Sequence, residues 1–365
     1  MKQLQLILVG GFLGAGKTTL LARAAKLLGT HGHRVGLITN DQAADLVDTA
    51  LLRQAQFEVR EIAGGCFCCR FDQLITTVLQ LATEISPDII IGEPVGSCTD
   101  LSATVLQPLK DLHADCLTLA PFSVLVDPNR LWEVLEPRRQ SLMHASARYI
   151  LRKQLEEADL LIINKRDLLD PQEQEELLAA TRDMFPGKPL YLISALTGEG
   201  VAAWLDDLAS PGNAGGHIVD VDYDIYAEGE AVLGWLNASA TLTATAPVDW
   251  QARGLAILDG IRQAAALRRA EIVHVKLSLT TPTDQCVANL TATTGQPTVR
   301  GRLDEATAVS LVINARVEMA PDALQAIIEE ILRSLADNGI AVQIHTVRSL
   351  SPGRPMPTHR YASVK

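Results

Sequence analysis

The chain has 365 residues, a formal net charge of −11 and an apolar share of 47%. That length suits about two domains, the apolar share rules out a wholly disordered chain, and the acidic balance argues against nucleic-acid or membrane-surface partners, which want a basic face. No apolar run approaches the roughly 20 residues that span a bilayer.

Residues 4–16 are apolar enough to imitate a secretory leader. They run straight into Gly16-Lys17-Thr18, which cleavage would destroy, so they read as a buried strand and its turn. Further strands are predicted at 34–39, 88–92, 122–126, 160–163 and 190–193, each short, apolar nearly throughout and followed by Gly, Asn, Asp, Glu or Ser. Continuous hydrophobicity marks parallel strands covered on both faces. Helical spacing links Phe71, Leu74, Ile75, Val78, Leu79, Ala82 and Ile85, and a second amphipathic stretch covers 172–185. The expected fold is α/β: a doubly wound, mostly parallel P-loop NTPase sheet with its ligands beyond the strand carboxyl ends.

Residues 210–216 have turn composition, and the acids Asp220, Asp222 and Asp224 follow. Beyond them the pattern changes. A strand near 231–242 precedes a helix near 250–269, and Val273, Val275, Leu277 and Leu279 then alternate with His274, Lys276 and Ser278 on a polar face. Strands near 287–293 and 308–318, a helix at 321–337 opened by Pro321 and a strand at 340–347 complete a smaller α+β unit. The expected division is 1–210, a nucleotide and metal domain; 211–229, a linker; 230–350, the second domain; and 351–365, an extended proline-containing tail.

Gly11-Phe12-Leu13-Gly14-Ala15-Gly16-Lys17-Thr18 matches GxxxxGK[ST] between a strand and a helix, and Thr19 continues it. Its amides cradle phosphate oxygens, Lys17 reaches the β/γ-phosphates and the Thr18 hydroxyl ligates Mg²⁺. Asn164-Lys165-Arg166-Asp167 follows a predicted strand. A carboxylate at Asp167 accepts from N1–H and the exocyclic amine of guanine, groups that adenine does not present, while the Lys165 stem lies over the base. Ser194, Ala195 and Leu196 are placed to offer the guanine carbonyl a backbone N–H. Glu93 ends a buried strand, with Gly96 three residues on, which suits Mg²⁺ water for the acid and γ-phosphate for the amide. Asp41 is a second candidate for the metal or the attacking water. Lys17, Asp41 and Glu93 are thus the expected catalytic set.

Three of six cysteines, Cys66, Cys68 and Cys69, crowd into four positions after Gly64-Gly65 and just before a helix. A helix N-terminus favours thiolate, the metal-binding form. CxCC offers three sulfurs, an open set that suits a metal to be given away; buried hydrophobes and a redox role are the alternatives. Such crowding points to reduced thiols in the cytoplasm rather than to a disulfide scaffold. Cys98, Cys116 and Cys286 read as core residues, and His31 and His33 as a solvated turn pair.

Together GGFLGAGKTT, GGCFCC, GEPVG and EEADLLIINKRDLL resemble the CobW branch of the CobW/HypB/UreG-type metallochaperone GTPases. The likeness covers about residues 4–205 and extends through 230–237, similar to the opening strand of that family's C-terminal domain. It implies GTP/GDP and Mg²⁺ as ligands, GTP hydrolysis coupled to loading or release of a transition metal on Cys66, Cys68 and Cys69 (often Zn²⁺, with cobalt or iron in some branches), and a client metalloprotein as partner. A homodimer stays open. The chain departs from the family at Asn40-Asp41-Gln42-Ala43, where CobW members usually carry Asn-Glu-Phe-Gly, and it has no histidine-rich run. The rival expectations are a nucleotide-gated scaffold or activator of a cobalamin-dependent or other cofactor enzyme, delivering no metal, and a small-molecule kinase on the same fold.

Overall fold

The computed structural model describes residues 3–42, 47–136, 143–208, 214–336 and 339–365. Ala43, residues 210–213 of the expected linker and Asp337 of the expected last helix lie outside the described residues.

The first unit runs β1 (Leu4–Gly11), α1 (Lys17–Thr30), β2 (Val35–Asp41), α2 (Val47–Gln54), β3 (Glu58–Ala63), α3 (Phe71–Ile85), β4 (Ile89–Glu93), a π-helical turn (Ser102–Leu106) continuing into α4 (Gln107–Leu112), β5 (Leu117–Leu119), β6 (Ser123–Val126), α5 (Pro128–Leu135), α6 (Ala145–Glu157), β7 (Leu160–Ile163), α7 (Pro171–Met184), β8 (Leu190–Leu192) and α8 (Val201–Leu208). Its strands pair in parallel in the order β3-β2-β4-β1-β6-β7-β8. β5 also lies against β1, along its lower half, and β6 takes over along its upper half at Val9 to Gly11. Ala120-Pro121-Phe122 separates the two short strands, and proline's missing N–H accounts for the interruption. The core strands β1, β4, β6 and β7 are those whose apolar runs are continuous. β3 is an edge strand with Glu58, Arg60 and Glu61 among its six residues, so it shows no apolar run to detect.

The stretch expected as linker carries a helix, α9 (Tyr223–Ala231). Asp222 starts it by accepting from the N–H groups of Asp224 (2.8 Å) and Ile225 (3.2 Å), so one of the acids that suggested a solvated linker is a helix cap. β9 (Gly234–Val248), α10 (Trp250–Leu267), β10 (Ile272–Thr280), β11 (Gln285–Leu290), β12 (Thr298–Gly301), β13 (Ala306–Val317), α11 (Pro321–Ala336) and β14 (Ile340–Leu350) follow. Their six strands form an antiparallel sheet in the order β12-β11-β10-β13-β9-β14. Leu236, Leu277, Ile313 and their neighbours pack with α10 and α11 in a core of their own. The opposite face is polar yet buried: Lys276, Ser278, Asn314 and Arg316 are each less than a tenth exposed. Burying such a row needs partners, and the first unit supplies Val47 N to Asn314 and Asp41 to Arg316.

Candidate functional site

β1 ends in the glycine loop. Gly11, Gly14 and Gly16 all take positive φ (131°, 77° and 99°), and a Cβ on Gly11 would meet Leu125 O at 2.1 Å. Gly16 is the left-handed cap of α1 and offers no side chain to its first-turn amides, which leaves that N-terminus shaped for an anion. Lys17 is buried and donates to the carbonyls of Gly11 (2.8 Å) and Phe12 (3.2 Å), 3.9 Å from Glu93. Thr18 Oγ1 donates to Glu93 Oε2 at 3.0 Å, so β1 and β4 bring together a hydroxyl and a carboxylate from positions 75 residues apart. Asn40 Oδ1 lines the same cavity, buried and without a hydrogen-bond partner. Hard oxygens beside an orphaned acceptor fit Mg²⁺ and its waters.

Asn164 holds the phosphate and base sides together. Its Nδ2 donates to Ala15 O (2.8 Å), and its Oδ1 accepts from Ala195 N (2.9 Å). Ser194 N donates to Glu199 O (2.9 Å), so within 194–196 the expected offer to a base carbonyl falls to Leu196. Lys165, at φ 60°, pairs with Asp127 at 2.5 Å, and Asp127 in turn caps α5. Asp167 sits exposed in a single 3₁₀ turn and is not among the residues that line the cavity, with the Arg300 guanidinium as a charged neighbour.

The roof of the site comes from the second unit. A cavity of about 770 Å³ lies over the loop, and the polar face of the second sheet (His274, Lys276, Asn289, Asn314, Arg316) closes it. Arg316 Nη2 contacts both oxygens of Asp41 at 3.1 Å, and its Nη1 donates to Leu236 O and Asn237 Oδ1, both at 3.0 Å; the guanidinium stacks 4.2 Å over Trp235. Asn314 Oδ1 accepts from Val47 N (2.9 Å), and Arg300 donates to Thr19 Oγ1 (2.7 Å). Arg130 of α5 adds a buried pair with Glu271 at 3.0 Å. The alternating pattern around Lys276 marked a polar face, but only tertiary register aims it at Asp41.

Cys66, Cys68 and Cys69 lie between β3 and α3, with their sulfurs within 4.8 Å of one another. Cys66 Sγ is 2.9 Å from Cys68 Sγ and 3.3 Å from Cys69 Sγ, and Cys68 and Cys69 are 3.8 Å apart. Hydrogen bonding with Cys66 pushes Cys69 up to about 11, and the same contact with burial raises Cys68. Cys98 lies in the core of the first unit, as expected. It is buried as a core cysteine should be, but its Sγ sits 3.8 Å from Cys68 Sγ, and hydrogen bonds from Cys66 and Cys68 pull it down to about 6. Cys286 lies in the second core as expected, and Cys116 is half-buried with its thiol on His113 O (3.4 Å).

α9 presents buried Glu230 to this cluster. Ser97 Oγ donates to it at 2.5 Å, and burial raises it to about 8. The tail runs without regular structure across the same surface. Thr358 N donates to Cys68 O (2.9 Å), Met356 N contacts Cys69 Sγ (3.3 Å), and Arg360 pairs with buried Asp100 (2.7 Å).

A parallel sheet whose first strand feeds a glycine loop and a helix N-terminus defines a P-loop nucleotide-binding protein. Residues 5–191, just over half of the chain, match the CobW/HypB/UreG nucleotide-binding domain, and the chain belongs to that family. It is 28% identical over 221 residues to the zinc chaperone CobW of Pseudomonas aeruginosa, covering 54% of this chain and 58% of that one. Over 171 residues it is 28% identical to the zinc chaperone YeiR of Escherichia coli, covering 47% and 49%. A zinc-regulated GTPase metalloprotein activator of Dictyostelium discoideum is 24% identical over 213 residues, covering 51% and 44%. The chain thus spans about half the length of these curated relatives. Among the described residues no helix is long and apolar enough to cross a membrane.

Proposed function

We propose that this chain is a Mg²⁺-dependent GTPase that couples its nucleotide state to binding a transition metal, zinc first, and passing it to a client metalloprotein. One observation carries the reading: the strand-end loops that line the nucleotide cavity also hold the cysteines. Asn40 Nδ2 donates to Gly65 O (2.7 Å), and Gly64 N donates to Asp41 O (3.2 Å), so the end of β2 grips the start of the cysteine loop. The segment after β4 passes from Glu93 through Gly96 to Cys98 within six residues. A shift of either loop on nucleotide exchange reaches the sulfurs directly, as coupling between two ligands requires.

In this reading Thr18 and Glu93 hold Mg²⁺, which when bound neutralises charge on the triphosphate. Lys17 and the amides from Gly14 to Thr19 hold the phosphates, Gly96 offers its N–H to the terminal one, and Asn164, Lys165, Asp167 and Leu196 select guanine. Asp41 serves either the attacking water or Arg316. Drawing it to the nucleotide therefore loosens the second sheet, a route by which hydrolysis informs a client docked on residues 230–350. The zinc-chaperone names of the relatives support zinc as the metal.

The test is zinc affinity measured with a non-hydrolysable GTP analogue and with GDP. A difference of about fivefold or more is expected, together with loss of zinc from a Cys66/Cys68/Cys69→Ser triple variant. Equal affinities in the two states would sink the coupling, and an unaltered metal content in the triple variant would leave the scaffold reading.

A further inference from the structure

We infer that Cys98 is a fourth sulfur ligand, so that the metal site is Cys66, Cys68, Cys69 and Cys98 rather than the CxCC loop alone. This rests on the reading of the cysteine loop as a metal site and extends it to a residue from a different strand end. Zn–S bonds of about 2.3 Å set the sulfurs of a tetrahedral site about 3.8 Å apart. Cys68 meets that spacing on two edges, 3.8 Å to Cys69 and 3.8 Å to Cys98. Cys66 lies closer, at 2.9 Å from Cys68 and 3.3 Å from Cys69, and these edges must open for a metal to enter the middle. Cys98 lies outside the trio of sulfurs that are all within 4.8 Å of one another, so Cys69, the partly exposed member, must shift to close the set.

The local structure argues against a mere space-filling thiol. A core cysteine needs only apolar neighbours, yet the segment around Cys98 is fixed from three sides. Gln154 of α6 donates to Cys98 O (2.8 Å) and Gly96 O (3.0 Å). Ser97 is bound to Glu230 of α9 (2.5 Å), and Thr99 donates to Glu157 of α6 (3.0 Å). Asp100, at φ 64°, a left-handed conformation that Asp adopts more readily than most non-glycine residues, is held by Tyr223 of α9 and Arg360 of the tail, each at 2.7 Å. Metal ligands are typically locked in this manner by surrounding hydrogen bonds. Cys98 also lies five residues beyond Glu93 on the loop that borders the nucleotide cavity, so the fourth ligand shares a strand-end loop with the nucleotide site.

The full-length reduced protein, titrated with Co²⁺ and then Zn²⁺, tests this. Cys98→Ser should lower the thiolate-to-cobalt charge-transfer absorption to about three quarters of the wild-type value, one of four sulfurs being lost. It should also weaken zinc by at least about tenfold, the low end of what losing even an outer partner costs. Wild-type absorption and affinity in Cys98→Ser would overturn the assignment and return Cys98 to the core. Cobalt and zinc binding unaffected by the Cys66/Cys68/Cys69→Ser variant would instead refute the metal reading beneath it. Should Cys98 variants fail to fold, X-ray absorption of the zinc-loaded wild type decides: four sulfurs support the proposal, and three sulfurs with one oxygen or nitrogen overturn it.

Discussion

Around the nucleotide cavity the buried charges come in opposite pairs: Lys17 beside Glu93, Arg316 on Asp41, Lys165 on Asp127. Around the cysteines, at the ends of neighbouring strands, two buried glutamates sit among neutral hydrogen-bond donors instead, with Lys188 as the cation near Glu157. Glu157 accepts from Thr99 Oγ1 and Ser102 N, both at 3.0 Å, and Glu230 accepts from Ser97, and burial raises each acid to about 8. The first region is built to stay ionised, as a site for a polyanion and a hard cation must be. The second holds Glu157 and Glu230 neutral, pairs Asp100 with Arg360 and raises the thiols of Cys68 and Cys69, which suits a soft or borderline cation that displaces protons on entry. In the proposed reading two chemistries share one set of strand ends without competing for ligands.

The largest effect expected at the charged end concerns Asp167. Its replacement by Asn removes the acceptor that distinguishes guanine, and GTP affinity should fall by about 100-fold. Xanthosine triphosphate should gain in compensation. Equilibrium binding of the two nucleotides measures both changes. Unaltered GTP binding would show that this exposed residue is not the base reader, and would turn attention to Arg300 beside it.

Arg316→Ala comes next. It strips a partly enclosed carboxylate of its counter-ion, removes hydrogen bonds to Leu236 O and Asn237 and uncovers Trp235. Breaking a buried ion pair by removing one partner costs about 3 kcal/mol, readable as a lower urea midpoint. A double-mutant cycle with Asp41→Asn isolates the pair from the stacking. A coupling near zero would mean that the second sheet is held by Arg130–Glu271 and the hydrogen bonds alone, and would remove Asp41 as the messenger between the two units.

The contrast also explains what was readable beforehand. The glycine loop, Asn164 to Asp167 and the CxCC run are contiguous, so their spacing alone states their chemistry, and the core parallel strands announce themselves by unbroken apolar runs. Arg316, Asn314, Glu230 and Cys98 become site residues only through register and packing between distant segments. Arg316 is an ordinary cation on an alternating strand until β13 is laid beside β9 and over Asp41. Cys98 resembles any core cysteine until the π-helical turn and α6 fix its loop against Cys68. β3 and β5 escaped for simpler reasons. One is a polar edge, and the other is three residues long with a proline just beyond it.

The effect expected at the sulfur end is a slope, small per pH unit. Glu157 is fully buried, and burial, reinforced by the charge of Asp100, raises its folded pKa from the usual value near 4.5 to about 8. Between those two values the folded chain holds a proton that the unfolded chain has released. Stability is therefore greatest at low pH in this window and declines as pH rises through it, by up to about 1.4 kcal/mol per unit for this group. Lys188 nearby is depressed to about 8 and works in the opposite sense, but only above that pH. Glu157→Gln keeps a neutral acceptor for Thr99 and Ser102 while removing the titration. Denaturation midpoints recorded from pH 5 to pH 8 should accordingly fall less steeply in the variant, with Glu230 supplying the slope that remains. An identical slope in both proteins would mean that Glu157 is ionised in the folded state, and the distinction between a charged nucleotide end and a neutral sulfur end would fail at its best-buried residue.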